Sequence, residues 1–358
     1  MNTSCKETRT VRGYVLLLAA CQFFISVTHA QRHDTVRGRY VKRYPDHLFV
    51  YPLIKQRSSN FSVQRRNLDQ RALTFRPNHA VSMGVGLYVF DVGVELAFDV
   101  PIDEGTSTMF GTSRVRDLSG LIVGNNWGLD FFTQRYEGFY VTGLARIFPN
   151  DNGVAIRSDI ALRSTGVNGF YIFNKKKFSL RSAYNFAERQ FKSGGSWALS
   201  GTLNTSTFTS DTVVLTSRLR RQVGVEKTYG DLSFTTFSIA PGYTYNFIYK
   251  HWFLNLSLAV GPAHHWIYYV DEANQPRYDI IINSFIDNRI AIGYNSDRWF
   301  GGISFVSLVR QVKFSEFQVT TNATNTKILI GYRIPEKGIF KKRAWDFLPL
   351  PQALRKKS

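Results

Sequence analysis

The chain has 358 residues, with 45 Lys+Arg against 26 Asp+Glu, a formal charge of +19, 15% aromatic residues, 27 Gly and two Cys. At 44% hydrophobic and 20% charged it can bury a core, which excludes intrinsic disorder and a coiled coil, and its glycine and proline content excludes a collagen-like chain.

Residues 1–30 read as a secretory signal. Lys6, Arg9 and Arg12 form a basic start, Tyr14 to Val27 an apolar run, and Thr28-His29-Ala30 a small-residue end, so cleavage is expected after Ala30. A second pattern, Leu18-Ala19-Ala20-Cys21, would suit lipidation of Cys21, but the apolar run continues past it through Phe23, Phe24 and Ile25, which favours simple cleavage. Cleavage removes Cys5 and Cys21 and with them every disulfide, zinc-thiolate or cysteine-nucleophile reading. It also takes three basic residues and one acidic one, leaving +17. An exported basic chain meets envelope polyanions such as lipopolysaccharide, and no nucleic acid is expected as a partner.

The segment 31–69 opens with Arg32, Arg37, Arg39, Lys42 and Arg43 and reads as a basic, solvated periplasmic extension. Beyond it no run of eighteen apolar residues occurs, but period-two alternation recurs. Val92, Val94, Leu96, Phe98 and Val100 share one strand face, opposite Asp91, Gly93, Glu95, Ala97 and Asp99. Trp252, Leu254, Leu256, Leu258 and Val260 repeat the pattern with an aromatic head, as an interfacial girdle would supply. Ile290, Ile292 and Tyr294 lie opposite Asp287, Arg289, Ala291 and Gly293; Thr326, Ile328, Ile330 and Tyr332 lie opposite Lys327, Leu329, Gly331 and Arg333.

Strands are predicted over 71–77, 80–89, 91–100, 119–134, 138–147, 157–173, 178–190, 195–204, 211–217, 231–247, 251–264, 278–293, 298–311 and 325–334. Fourteen is an even number, as single-chain barrels need; losing the weak segments 71–77 and 211–217 leaves twelve. Short turns near Phe90, Glu137, Lys176, Lys250 and Ser296 would fall on one side, and longer loops at 101–118, 218–230, 265–277 and 313–324 on the other. The expected fold is therefore all-β, a transmembrane antiparallel up-and-down barrel over 70–334, because only a closed barrel satisfies every strand hydrogen bond in lipid. A soluble periplasmic sandwich that binds ligand is the competing architecture. Residues 335–358, with Pro335, Pro349 and Pro351 among Lys341, Lys342, Arg343, Arg355, Lys356 and Lys357, read as a basic periplasmic tail. The two basic ends either stay solvated or hold a periplasmic partner.

Chemistry is sparse. His264-His265 could activate a hydroxyl in a lipase or deacylase, but no spacing supports a triad, and Trp266, Tyr268 and Tyr269 beside them suit an interfacial belt. Seven histidines make no metal-ligand spacing, and neither a metal nor a cofactor is expected. Gln190-Phe-Lys-Ser-Gly-Gly-Ser196 lacks the order of a phosphate loop and reads as a tight connection. The inward charges Glu95, Asp99, Asp287, Arg289, Lys327 and Arg333 are the expected lumen-lining set, serving either a solute path or cross-lumen ion pairs.

Tyr40-Val-Lys-Arg-Tyr-Pro-Asp-His-Leu48, Asp130 through Gly138-Phe-Tyr140, Arg157-Ser-Asp-Ile160, Phe178-Ser-Leu-Arg-Ser-Ala183 and Glu188-Arg-Gln-Phe-Lys-Ser-Gly-Gly-Ser196 resemble the signature of an uncharacterised "domain of unknown function" family of Bacteroidetes-type envelope proteins. The resemblance implies an outer-membrane barrel in a Gram-negative envelope and implies no reaction; outer-membrane lipid and, from the basic charge, lipopolysaccharide are the partners expected there. The chain departs from general barrel practice by running 24 residues beyond Ile334. The expectation is thus a non-enzymatic outer-membrane barrel, either a small-solute pore or an envelope scaffold, with a barrel lipid hydrolase as the alternative.

Overall fold

A computed structural model describes residues 35–44, 47–66, 72–79, 81–89, 92–143, 155–211, 214, 215, 229, 231–271 and 273–335. The elements are α1 (Thr35–Tyr40), β1 (Val41–Arg43), β2 (His47–Arg65), β3 (Leu73–Arg76), β4 (Ser82–Val89), β5 (Val92–Asp99), α2 (Glu104–Phe110), β6 (Arg114–Val123), β7 (Trp127–Thr142), β8 (Ala155–Ile172), α3 (Arg181–Tyr184), β9 (Glu188–Gln190), β10 (Gly194–Ser210), β11 (Leu232–Tyr249), β12 (Trp252–Val270), β13 (Pro276–Asn295), β14 (Trp299–Phe314) and β15 (Phe317–Pro335). Among the described residues no helix is long and apolar enough to cross a membrane.

Sequential antiparallel pairing carries the wall from β7 through β8 and β10 to β15. The last strand then pairs with the first long one, from Phe317 opposite Arg65 to Pro335 opposite His47, and β3 bridges β2 to β7. That circuit of ten strands closes the barrel. The bridge is confined to one end, where Phe61–Val63 pair with Leu73–Phe75 and Thr74–Arg76 with Tyr140–Thr142. At the other end, that of the Lys250-His251 and 296–298 turns, β2 pairs instead with β4, which carries β5, while β7 pairs with β6. Twelve strands therefore surround the turn end. There β5 and β6 approach one another, but no ladder joins them among the described residues.

The changeover is built at Gly138. Its φ of +85° is one that a side chain resists, and it sits in the β7 bulge between Glu137 and Phe139. The bulge turns β7 from β6 toward β3, and Ser113 fastens the corner by donating to the Gly138 carbonyl at 2.6 Å. Asn78 completes it, donating its amide to Gly111 O at 2.6 Å below α2.

Side chains alternate in the sense opposite to a water-soluble sheet. On β10 Ser196, Ser200, Thr202, Asn204 and Ser206 are buried, while Trp197 and Leu203 are exposed. On β12 the exposed stripe runs Trp252, Leu256, Leu258, Val260 and Trp266. Aromatic pairs mark both rims of this apolar surface: Trp252–Tyr294, Trp299–Tyr332 and Trp197–Tyr243 near the turn end, and Tyr268–Tyr278 near the other. The fourteen steps from Trp252 to Trp266, at about 3.3 Å each and tilted about 40°, span roughly 35 Å, which lies between the hydrocarbon and the full thickness of a bilayer.

Several sequence expectations change. The closed circuit has ten strands, not fourteen. The segment 31–69, expected as a periplasmic extension, contains β2, the strand that closes the barrel, so the barrel starts at His47. The predicted strands 119–134 and 138–147 are β6 and β7 with the turn at 124–126, and Glu137 lies inside β7 instead of at a turn. The predicted strand 178–190 folds into the barrel as α3 and β9, while Asp211, Val214 and Leu215 lie outside the strands. The predicted loops 265–277 and 313–324 shrink because β12, β13, β14 and β15 run on to close turns at 271–275 and 315–316. A closed barrel also displaces the soluble sandwich. The signal segment 1–30 and the tail beyond Pro335 lie outside the described residues.

Candidate functional site

Three layers fill the barrel. At the loop end inward apolar side chains meet in the lumen: Phe61 stacks on Phe75 of the neighbouring strand at 4.5 Å and is met edge-on by Phe139 and Phe208 at 5.3 and 4.8 Å. Tyr136, Tyr229, Phe234 and Phe314 belong to the same buried cluster. A strand whose inward positions are large aromatics fills a ten-strand lumen with side chains and leaves no channel there.

At the turn end the connection from β8 to β10 folds inward, and the N-terminal α1–β1 segment joins it by pairing β1 with β9, Val41 opposite Gln190. Burying polar backbone in this plug requires partners, and the wall supplies them as inward amides. Asn295 donates to the carbonyls of Ser182 and Glu188, each at 3.0 Å. Asn246 donates to Gln190 Oε1 at 2.8 Å, and the Tyr184 hydroxyl donates to Asn255 Oδ1 at 2.7 Å. Arg333, fully buried, donates to Phe186 O at 2.6 Å, to Asn295 Oδ1 at 2.8 Å and to Ser296 O, and its guanidinium stacks on Tyr44, Phe300 and Phe49.

Glu188 is the charge centre of the plug. It has no exposed surface; Arg37 pairs with it at 2.6 Å, Arg43 at 3.6 Å and Arg181 at 3.9 Å, and Ser179 donates to it at 2.6 Å. Asp297, in the turn between β13 and β14, ties down the N-terminal segment: Lys42 lies at 2.9 Å, Tyr44 donates its hydroxyl at 2.7 Å, and Arg189 lies at 3.2 Å. The Lys42 and Tyr44 hydrogen bonds hold the Asp297 carboxyl well below the usual carboxylate range. Burial, with the bond to Asp297, pushes the Tyr44 hydroxyl up to about 12.

Between the plugs lies a chamber of about 80 Å³. Arg57, Arg289, Arg310 and Lys327 face it, with Leu121, Val123, Phe132, Phe170 and Leu308 as apolar wall. Arg57 reaches Asp130 at 3.4 Å and Asp117 at 3.8 Å; Arg289 grips Asp287 with two bonds of 2.9 Å; Lys327 pairs with Glu95 at 2.7 Å. Asp287 also accepts from Ser200 at 2.5 Å. Tyr51 donates to Glu95 at 3.3 Å, its ring lying over Gly86, where a Cβ would overlap it at 2.1 Å.

Of the six residues expected to line the lumen, the structure brings Asp287, Arg289, Lys327 and Glu95 to the chamber level. Asp99 stands exposed at mid-height, accepting from Ser82 at 2.6 Å, and Arg333 is in the plug. His264 and His265, expected together in the interfacial belt, point to opposite faces. His264 lies against Trp266 at 4.4 Å, and His265 is buried inside, its Nδ1 2.9 Å from Thr236 Oγ1. Successive strand residues cannot share a face, so they form no catalytic pair. Among the described residues no cluster of His, Cys, Asp and Glu could hold a metal ion.

A family profile described as domain of unknown function, DUF4421, matches residues 32–334. The chain belongs to that family. A search of curated protein sequences finds no match. Among solved structures the chain is similar to the outer membrane protease OmpT from Escherichia coli, at 7% identity and a TM-score of 0.40 over 82% of this chain and 98% of that one. It is similar to the translocator domain of autotransporter NalP from Neisseria meningitidis at 8% and 0.29, over 92% and 97%. The attachment invasion locus protein Ail of Yersinia pestis follows at 9% and 0.22, over 81% and 99%. None of these likenesses bears on activity, and the barrel stands on its own ladders.

Sequence reasoning missed Glu188, Arg310, Arg57 and Asp130. A lone charge in an alternating strand gives no local signal of its partner, which sits on a distant strand. Arg57 hid in a segment read as basic extension. Glu188 could have been found: it is the one carboxylate in 174–193, a stretch otherwise carrying Lys and Arg.

Proposed function

We propose that this protein is an outer-membrane barrel of a Gram-negative envelope, exported by its signal, closed to bulk solute and working as an envelope scaffold. The observation that carries this reading is the double closure beneath an apolar, girdled exterior: an aromatic cluster at the loop end and the Glu188-centred plug at the turn end. Polar-in, apolar-out alternation supports the bilayer placement. The short turns belong on the periplasmic side, with both chain ends. There the basic ends would be free to hold a periplasmic partner, and the outer leaflet would offer lipopolysaccharide to the loop end. The small-solute pore reading needs both closures to move together, and the lipid-hydrolase reading has no paired histidines to stand on.

The purified full chain, checked for heat-modifiable migration and for resistance to carbonate extraction from membranes, is to be tested in planar bilayers. Folded, carbonate-resistant protein that gives no steady conductance is expected. Steady single-channel conductance would overturn the closed-scaffold reading, and release by carbonate would overturn the membrane placement.

A further inference from the structure

Arg310 differs from its neighbours in the chamber. Arg57, Arg289 and Lys327 are each paired with a carboxylate, whereas the buried Arg310 guanidinium hydrogen-bonds only neutral oxygens, Asn168 Oδ1 at 3.2 Å and Thr202 Oγ1 at 3.1 Å, and lies over the Phe285 ring at 5.7 Å. Its Nε has no hydrogen-bond partner, and among the described residues no carboxylate comes within ion-pair distance. Asp287 is already committed to Arg289 and Ser200. A buried guanidinium with an unpaired N–H and no carboxylate in contact is costly, and an anion entering the chamber would offset that cost.

Both axial routes to the chamber are filled. The remaining approach is sideways, because Leu121 and Val123 line the chamber from β6, the strand whose free edge faces β5. Free strand edges in lipid carry unsatisfied backbone groups, so this seam is where the wall gives most easily. The outward residues beside it, Leu96, Phe98, Leu118 and Ile122, are exposed and apolar.

We propose that the chamber binds the carboxylate of a long-chain amphiphile, anchored by Arg310 and admitted from the bilayer through the β5–β6 seam. This rests on the membrane placement proposed above. The unpartnered Arg310 Nε suits a single negative head, and the Leu121, Val123 and Phe132 wall suits the first carbons of an alkyl chain.

The full chain in neutral detergent is dialysed against radiolabelled dodecanoate and, separately, against labelled inorganic phosphate. Saturable dodecanoate binding is expected, weakened about tenfold or more in Arg310→Gln, since a charge-assisted hydrogen bond contributes about 1.5–3 kcal/mol. Arg310→Lys should retain part of the affinity. Should Arg310→Gln fail to show heat-modifiable migration, Leu121→Cys in the exported protein, freed of Cys5 and Cys21 with its signal, gives an independent reading: dodecanoate should slow its labelling by a maleimide. Folded, carbonate-resistant protein with no saturable binding overturns the chamber assignment alone, as does equal affinity in Arg310→Gln. Phosphate binding that depends on Arg310 without dodecanoate binding overturns the amphiphile in favour of a free anion. Binding retained by a protein that carbonate releases overturns the lateral route together with the membrane placement.

Discussion

The Tyr184 hydroxyl donates to Asn255 Oδ1 at 2.7 Å, and Asn255 in turn donates to Asn246 Oδ1 at 2.6 Å, so the in-folded helix and two wall strands share one buried chain of bonds. Tyr184→Phe removes the first link and leaves Asn255 Oδ1 with the Ser257 hydroxyl, at 3.1 Å, as its remaining donor. A loss of about 1–2 kcal/mol is expected, read as a lower midpoint in urea unfolding of the detergent-solubilised protein. An unchanged midpoint would mean that the plug is not coupled to the wall.

Glu188→Gln should be more severe. The substitution keeps the shape and leaves Arg37, Arg43 and Arg181 around a neutral group, for which about 3–5 kcal/mol is the expected cost. Loss of the barrel itself is not expected, because the wall ladders do not include β9, which among the described residues pairs only with β1. The measurement is protease access to residues 174–193 alongside heat-modifiable migration: early cleavage with retained migration supports the assignment.

Attachment of the N-terminal segment should depend on pH at two limits. The Asp297 carboxyl is depressed below its ordinary 3.8, so its contribution is present above that value and is lost as pH falls below it toward the folded value. The Tyr44 hydroxyl is raised from 10.0 to about 12, so its contribution is present below pH 10.0 and is lost as pH climbs through about 12. Proteolytic release of residues before His47 should therefore rise in acid and in strong alkali. Asp297→Asn should already loosen the segment near neutrality, leaving it held by the β1–β9 ladder and Glu188, and should flatten the acid limb.

Opening the lumen should take two lesions. Removing 174–193 leaves Phe61 and Phe208 in edge-on contact across the other end, so that deletion alone should stay silent in planar bilayers. Adding Phe61→Ala and Phe208→Ala should produce conductance, at about 3–5 kcal/mol of stability for each truncated ring. Conductance from the single deletion would show that the aromatic cluster opens unaided.

The β periodicity made the wall legible from β10 onward because those strands have one face fully apolar and the other small or polar, as Leu256 and Leu258 against Asn255 and Ser257. β2 escaped for the opposite reason. Leu48, Phe49, Val50, Tyr51, Leu53 and Ile54 are apolar on both faces, since the inward ones pack against the plug while the outward ones face the exterior, and the contrast on which alternation depends disappears. Phe178, Leu180, Tyr184 and Phe186 alternate like a strand, yet they are buried within the plug, and only tertiary packing separates the two cases. The turn at Gly124-Asn125-Asn126 was present in the sequence as a turn signal and was overrun by the apolar residues on either side. At the site, the charges of β5, β13 and β15 were visible as inward, but which acid meets which base depends on the lumen having the width of ten strands.

The changeover at Gly138 makes the two ends of the barrel unequal in cross-section. Diameter grows roughly linearly with strand number, so a twelve-strand section displaces about 1.4 times the area of a ten-strand one. In the proposed orientation the protein takes up more room among the lipids of the periplasmic leaflet than among those of the outer leaflet. It would therefore act on its membrane as a wedge, settling where the bilayer curves to match, and a seam in the wider half would feel the lateral pressure of that one leaflet.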